Sequence, residues 1–201
     1  MGDPKHSKKI YSKPRVPWQG DRLVSERALM QEFGLRRKKE VYKANSQLKR
    51  YKQTAKRLVV AEGDQAEKEK QQLFSKLQSF GLLKEPSLTA VLSITVNQLL
   101  ERRLQTQLVK KKLAKTVNQA RQLIVHRHVV VGDQKIGSPS YLVTVDEEDK
   151  IAFHPSSPYY DEEHPERFKP ELTEEEKEQI ANIENEQEQE ETDEEKDGDE
   201  E

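Results

Sequence analysis

The chain reads as an α+β protein. It has an N-terminal all-helical region, then a small α-β domain of two helices and a short antiparallel sheet, then a disordered acidic C-terminal tail. Three observations predict this. Apolar residues between 21 and 95 recur three and four apart, the period of a helix face rather than of a strand. The β-branched run Val129-Val130-Val131 follows two short helical patterns, and a strand accepts such a run where a helix resists it. Charge is segregated: residues 171–201 hold 17 acids against 2 lysines, net −15, while the other 170 residues hold 33 bases and 20 acids, net +13. With only 32% hydrophobic and 36% charged residues, the core must be small and much of the chain wet.

The expected segments are 1–20, 21–95, 96–153, 154–170 and 171–201. Residues 1–20 interleave Lys5, Lys8, Lys9, Lys13 and Arg15 with Pro4, Pro14 and Pro17, a basic tail with nothing to build a core from. Asp21 is placed to cap a helix carrying Leu23, Leu29 and Phe33, ended by Gly34. A longer helix follows, with Val41, Ala44, Leu48, Tyr51, Ala55 and Leu58 as one apolar stripe. Gly63-Asp64 separates a third helix containing Leu73, Phe74, Leu77 and Phe80, closed by Gly81. Leu82, Leu83, Leu88, Val91, Leu92 and Ile94 join the same core.

Thr95 with Gln98 forms a capping-box pattern, predicting a helix from Val96 to about Leu113 with Leu104, Leu108 and Val109 inward and Arg103, Gln107, Lys110 and Lys111 outward. Thr116 caps a second helix that buries Val117, Ala120, Leu123 and Ile124, with Asn118, Arg121 and Gln122 on another face. Gly132-Asp133 turns the chain after the valine run, and Gly137-Ser138-Pro139 breaks it before an extended Tyr141-Leu142-Val143. An acidic turn from Asp146 to Asp149 precedes a short strand, Ile151–Phe153. A connector rich in proline runs through Pro155, Pro158, Pro165 and Pro170. Thr173 with Glu176 makes a further capping box ahead of Ile180 and Ile183.

Several function classes find no footing. There is no cysteine, hence no disulfide and no thiolate metal site. No glycine-rich phosphate loop and no serine or cysteine nucleophile motif is present. His126 and His128 lack further ligands at metal spacing and read as surface donors beside Arg127. No apolar run approaches the roughly 20 residues of a membrane span, and no secretory-signal pattern follows the first lysines. The expectation is a protein that is not an enzyme and needs no cofactor or metal. A basic body of this density points to a polyanion partner.

The ordered set Arg103-Leu104, Lys112-Leu113-Ala114, Ala120-Arg121-Gln122-Leu123-Ile124, His128-Val129 with Val131 and Gly132, and Pro139-Ser140-Tyr141 resembles the small RNA-binding domain first described in small ribosomal subunit protein four. The rest of the chain narrows this. Phe33-Gly34-Leu35-Arg36, Lys39-Glu40-Val41, the run from Leu99 to Gln107, Ile151-Ala152-Phe153 and Ser156-Ser157-Pro158-Tyr159 look like the archaeal and eukaryotic branch of that ribosomal family. The likeness spans roughly residues 20 to 160. The cysteine-held zinc of bacterial relatives has no counterpart here.

The resemblance implies direct binding of small-subunit rRNA, early assembly, contact with neighbouring small-subunit ribosomal proteins, proximity to messenger RNA, an influence on decoding accuracy, and a ribosome-bound cytoplasmic location. Candidate phosphate ligands are Arg36, Arg37, Lys38, Lys39, Arg50 and Arg57 in the helical region, and Arg102, Arg103, Lys110, Lys111, Lys115, Arg121 and Arg127 in the small domain. Gln107, Thr116, Asn118, Gln122, His126, His128, Ser140 and Tyr141 are candidate hydrogen-bonding partners of backbone, 2′-hydroxyls or bases. Competing readings are a free-standing RNA-binding regulator of stalled or damaged ribosomes and an RNA-modifying enzyme. The second lacks a separate catalytic α/β pattern before Glu101.

Overall fold

Residues 9–161 and 164–167 are described by the computed structural model. The tail lysines Lys5 and Lys8, the Thr173/Glu176 capping box with Ile180 and Ile183, and the acidic run of 171–201 lie outside them.

The first helix, α1, spans Gly20–Glu32, two residues earlier than Asp21 capping requires; Gln19 is the N-cap. Asp21 instead sits in the first turn, where its charge complements the helix dipole. Gly34 ends α1 in the left-handed region (φ +56°), and Leu35 N–H then reaches back to the Met30 carbonyl at 2.9 Å. Helix α2, Lys38–Val60, buries Val41, Ala44, Leu48, Ala55 and Leu58, with Tyr51 half-buried among them. Helix α3, Asp64–Ser79, returns Leu73 and Leu77 onto that stripe. Ser87 caps the short α4, Leu88–Ser93, by accepting from Ala90 N–H at 3.2 Å, and Leu83, Val91 and Ile94 complete this core as expected. A second cluster, containing Phe33, Leu35, Val41, Leu99 and Leu100, binds α1 and the start of α2 to the next helix.

That helix departs from expectation. The Thr95/Gln98 capping box forms, but α5 covers only Val96–Glu101 and α6 resumes at Leu104–Lys110. Arg103 between them is extended (ψ 140°) and pairs with Leu142. The Tyr141–Val143 segment takes over the backbone there: Leu104 N–H donates to the Tyr141 carbonyl at 2.8 Å, and Val143 N–H to the Arg102 carbonyl at 2.9 Å. Side chains also close the break: the Leu100 carbonyl, which accepts from Arg103 N–H at 3.2 Å, accepts from Thr106 Oγ1 at 3.1 Å as well, and the Glu101 carbonyl accepts from Gln107 Nε2 at 3.0 Å. The interruption also rotates the wheel, so Arg103 and Gln107 face inward, not outward as a continuous helix predicts.

Thr116 caps α7, Val117–Val125, through a 3.2 Å bond from Gln119 N–H, and Ala120, Leu123 and Ile124 are buried. The valine run is β1, Val129–Val131. It pairs antiparallel with β2, Gln134–Lys135, across the Gly132-Asp133 turn, and with β3, Ile151–Phe153, giving sheet order β2-β1-β3. Tyr141–Val143 stays outside this sheet. The acidic turn is a single helical turn, α8, Val145–Glu148, closed by a reciprocal Thr144/Glu147 capping box. Leu104, Leu108, Ile124, Val129, Val143 and Phe153 form the core between the helix pair and the sheet.

Candidate nucleic-acid interface

Helix α2 puts its apolar stripe inward, so its cations have nowhere to go but outward. Arg36, Arg37, Lys38, Lys39, Lys43, Lys49, Arg50, Lys56 and Arg57 are all exposed. Some have local partners: Arg57 meets Glu69 at 2.9 Å, Arg50 donates to the Ile10 carbonyl at 2.9 Å, and Lys39 lies over the Tyr11 ring. Ser12 N–H also bonds Ser46 Oγ at 3.1 Å, so the described part of the leading basic segment follows α2. Arg36, Arg37, Lys43, Lys49 and Lys56 have no carboxylate at salt-bridge distance among the described residues. Like charges held this close repel one another unless counterions neutralise them.

The small domain adds a second cationic edge with a feature the sequence did not disclose. Both of its helices end on a cation in the left-handed backbone region, Lys112 (φ 58°) after α6 and Arg127 (φ 61°) after α7. In each case the next N–H closes a Schellman-type bond, Leu113 to the Leu108 carbonyl and His128 to the Leu123 carbonyl, both at 3.0 Å. Glycine is the usual occupant of that position; an L-residue there costs roughly 1–2 kcal/mol. The two side chains are exposed, so packing does not explain them. Lys112 was absent from the expected set, because a left-handed cap without glycine leaves no mark in the sequence.

Along α7 and its C-cap, Asn118, Gln122 and His126 are exposed, and Gln122 and His126, with Lys115 and Thr116, border a groove of about 390 Å³ closed by Tyr159 and Glu166. Gln119 Nε2 donates to the Glu166 carbonyl at 3.0 Å, and Tyr159 Oη donates to the Glu166 carboxylate at 2.7 Å, an interaction that with burial raises the Tyr159 hydroxyl pKa. Thr116 Oγ is committed to its cap. His126 is exposed, whereas His128 is half-buried, 2.9 Å from Ser157 Oγ through Nδ1 and edge-on to the Tyr159 ring. Burial, then the charge of His126, lowers the His128 pKa. The expectation of two surface imidazoles therefore holds its place only for His126.

Several expected contacts have internal partners instead. Arg103, whose side chain is 6% exposed, is 2.8 Å from Glu40, and Arg121 reaches the same carboxylate at 3.2 Å. Burial pushes the Glu40 carboxyl up, but hydrogen bonds from Arg121 and Arg103, with their charges, outweigh it and hold the pKa below its ordinary value. Arg102 is 2.8 Å from Glu148 and also donates to the Val143 carbonyl. Gln107 is buried against the helix break, and Tyr141 Oη donates to Glu147 at 2.7 Å. These side chains hold the fold, Arg103 and Gln107 because the α5–α6 break turned them inward. Lys110 and Lys111 form rim pairs with Glu101 and Asp149, and Ser140 is exposed beside Ser138. Among the described residues no three His, Asp or Glu side chains gather to hold a metal ion, and no helix is long and apolar enough to cross a membrane.

A helix pair packed on a three-stranded sheet, edged with cations, is the architecture of an S4 domain, and the S4 domain model matches residues 102–149. The likeness extends well beyond that domain. Small ribosomal subunit protein uS4 of Methanococcus maripaludis strain C7 is 47% identical over 169 residues, covering 83% of this chain and 95% of that protein. The proteins of the same name from Methanococcus aeolicus and Methanococcus vannielii are each 45% identical over 169 residues, covering 83% of this chain and 96% and 95% of their own lengths. The chain belongs to the small ribosomal subunit protein uS4 family.

Proposed function

We propose that this protein is a structural constituent of the small ribosomal subunit that binds small-subunit rRNA directly and is not an enzyme. The observation that carries the proposal is that the exposed Arg36, Arg37, Lys43, Lys49 and Lys56 have no carboxylate partner among the described residues, together with the two left-handed cations of the small domain. Folding gathers such charge at a cost that the dense phosphates of an RNA would offset. Arg36, Arg37, Lys38, Lys39, Arg50, Arg57, Lys110, Lys111, Lys115 and Arg127, with Lys112, neutralise phosphates. Asn118, Gln122, His126 and Ser140 supply hydrogen bonds to sugar and base edges. Residues 21–95 act as the helical rRNA-binding region and 96–153 as the small RNA-binding domain.

In this reading the protein binds early, nucleates assembly on a junction of rRNA helices, contacts neighbouring small-subunit proteins near the messenger path and supports decoding accuracy in the cytoplasm. Sedimentation through high salt tests it. Stoichiometric retention on small subunits supports a structural constituent, whereas loss into the supernatant with retained RNA affinity favours a free-standing regulator. Crosslinking should place the α2 cations, and Lys115 and Arg127 at the two ends of α7, on rRNA.

A further inference from the structure

Trp18 is the one tryptophan of the chain and stands 86% exposed at the entry to α1. Leaving an indole in water forgoes one of the largest apolar burials any side chain offers. Its turn is not loose, since Arg22 Nη2 donates to the Pro17 carbonyl at 2.8 Å. Beside the indole lies a groove of about 530 Å³ with Leu23, Met30 and Leu35 along its floor and Arg27 and Lys38 at its rim. That volume falls in the range of small-molecule sites, about 300–1,000 Å³. No acid lines it. Glu26, whose side chain is only 5% exposed, lies 3.7 Å from Lys38 Nζ.

An exposed flat aromatic, an apolar floor and a cationic rim match the parts of one nucleotide. A base stacks on the indole, its sugar lies over the aliphatic side chains, and its phosphate meets Arg27 and Lys38. Charge selects against a protein segment rich in lysine or arginine, and a base still paired inside a duplex presents no free face to the ring. On the footing that this chain binds RNA, we infer that Trp18, Arg27 and Lys38 form a separate site for one unpaired nucleotide of the RNA.

Because Trp18 is the sole tryptophan, its fluorescence reports this site alone. The full chain is titrated with a single-stranded oligoadenylate and with the same strand annealed to its complement, while small-subunit rRNA binding is followed in parallel by filter retention. The single strand should quench Trp18, and the duplex should not. With the labelled single strand followed by filter retention, since these variants carry no tryptophan, Trp18→Ala should weaken binding by about fivefold or more, and Trp18→Phe should retain most of it. Arg27→Ala should flatten the salt dependence by about one unit of slope. If rRNA is retained while Trp18 is silent and Trp18→Ala binds the single strand as the native chain does, the site is wrong and the RNA-binding reading stands. If the chain retains no rRNA, that reading fails first. If Trp18→Ala leaves both RNA titrations unchanged yet loses a neighbouring protein from reconstituted subunits, the groove is a protein contact and the nucleotide site is overturned.

Discussion

Glu40 and Arg103 meet at 2.8 Å although they stand 63 positions apart, one on α2 and the other at the break between α5 and α6. With side chains 18% and 6% exposed, this pair is shielded from solvent, and removing one partner leaves the other charge stranded. Arg103→Ala should destabilise the fold by about 2–3 kcal/mol, the low end for such a loss because Arg121 still faces Glu40. Thermal unfolding should fall by roughly 5–10 °C, while Lys110→Ala at its exposed rim pair should stay within about 0.5 kcal/mol. Equal melting temperatures for the two variants would remove the Glu40 junction from the stability of the fold.

Acid should act through the same carboxylate. Its folded pKa is depressed, so it contributes stability above the unfolded value of about 4.3 and loses it as pH falls through the lower folded value. Urea unfolding between pH 6 and pH 3 should show this loss in the native chain. In Glu40→Gln the decline should be shallower, from a lower starting stability.

Lys112→Gly and Arg127→Gly should move stability and RNA affinity in opposite directions. Glycine relieves the left-handed strain, so each variant should gain about 0.5–1 kcal/mol in chemical denaturation. Each removes one exposed cation, so the slope of RNA affinity against salt should flatten by about one unit. A variant that loses both stability and affinity would show that its side chain is part of the packing.

Gly34 and Gly132 separate backbone strain from crowding. Both have positive φ, near +56° and +60°, but a Cβ on Gly34 would stand 2.8 Å from Val117 Cγ1 and 2.9 Å from Gln105 Nε2, whereas one on Gly132 meets nothing within 4 Å. Gly34→Ala should therefore cost about 1–3 kcal/mol more than Gly132→Ala. Equal penalties would mean that the α1–α2 turn has room against α7.

Deleting residues 171–201 should raise non-specific RNA affinity at low salt, because a tethered net charge of −15 competes for a body of net +13. The difference should close as salt shortens the Debye length. Superimposable salt titrations of the two chains would assign the acidic segment no such competition.

Stripes and caps carried most of the fold into view from the sequence. The α2 stripe, the Thr95 and Thr116 caps, the valine strand and Ile151–Phe153 all depend on side chains a few positions apart, and periodicity reads those directly. The α5–α6 break does not. It is made by Tyr141–Val143, nearly forty positions later, which takes backbone bonds that a lone helix would keep. That one event turned Arg103 and Gln107 inward and moved them from the surface to the frame. Glu40 is the matching case: beside basic neighbours it reads as ordinary surface, and only the tertiary fold gives it two guanidinium partners.

The separation of Glu40 from Arg121 sets an order in time as well as in space. Their hydrogen bond joins residues 81 positions apart, and chains are made from the N-terminus at about 5–20 residues per second. Roughly 4–16 s of synthesis therefore pass between the emergence of the acid and that of its last base. For most of that interval, until Arg103 emerges, α1 to α4 have their own apolar contacts to make, but the carboxylate at the head of α2 has no counterion from the small domain. Docking of the two parts is a late event in the life of the nascent chain. The entropy of closing so long a loop grows only slowly with its length, so the delay is one of supply and not of search.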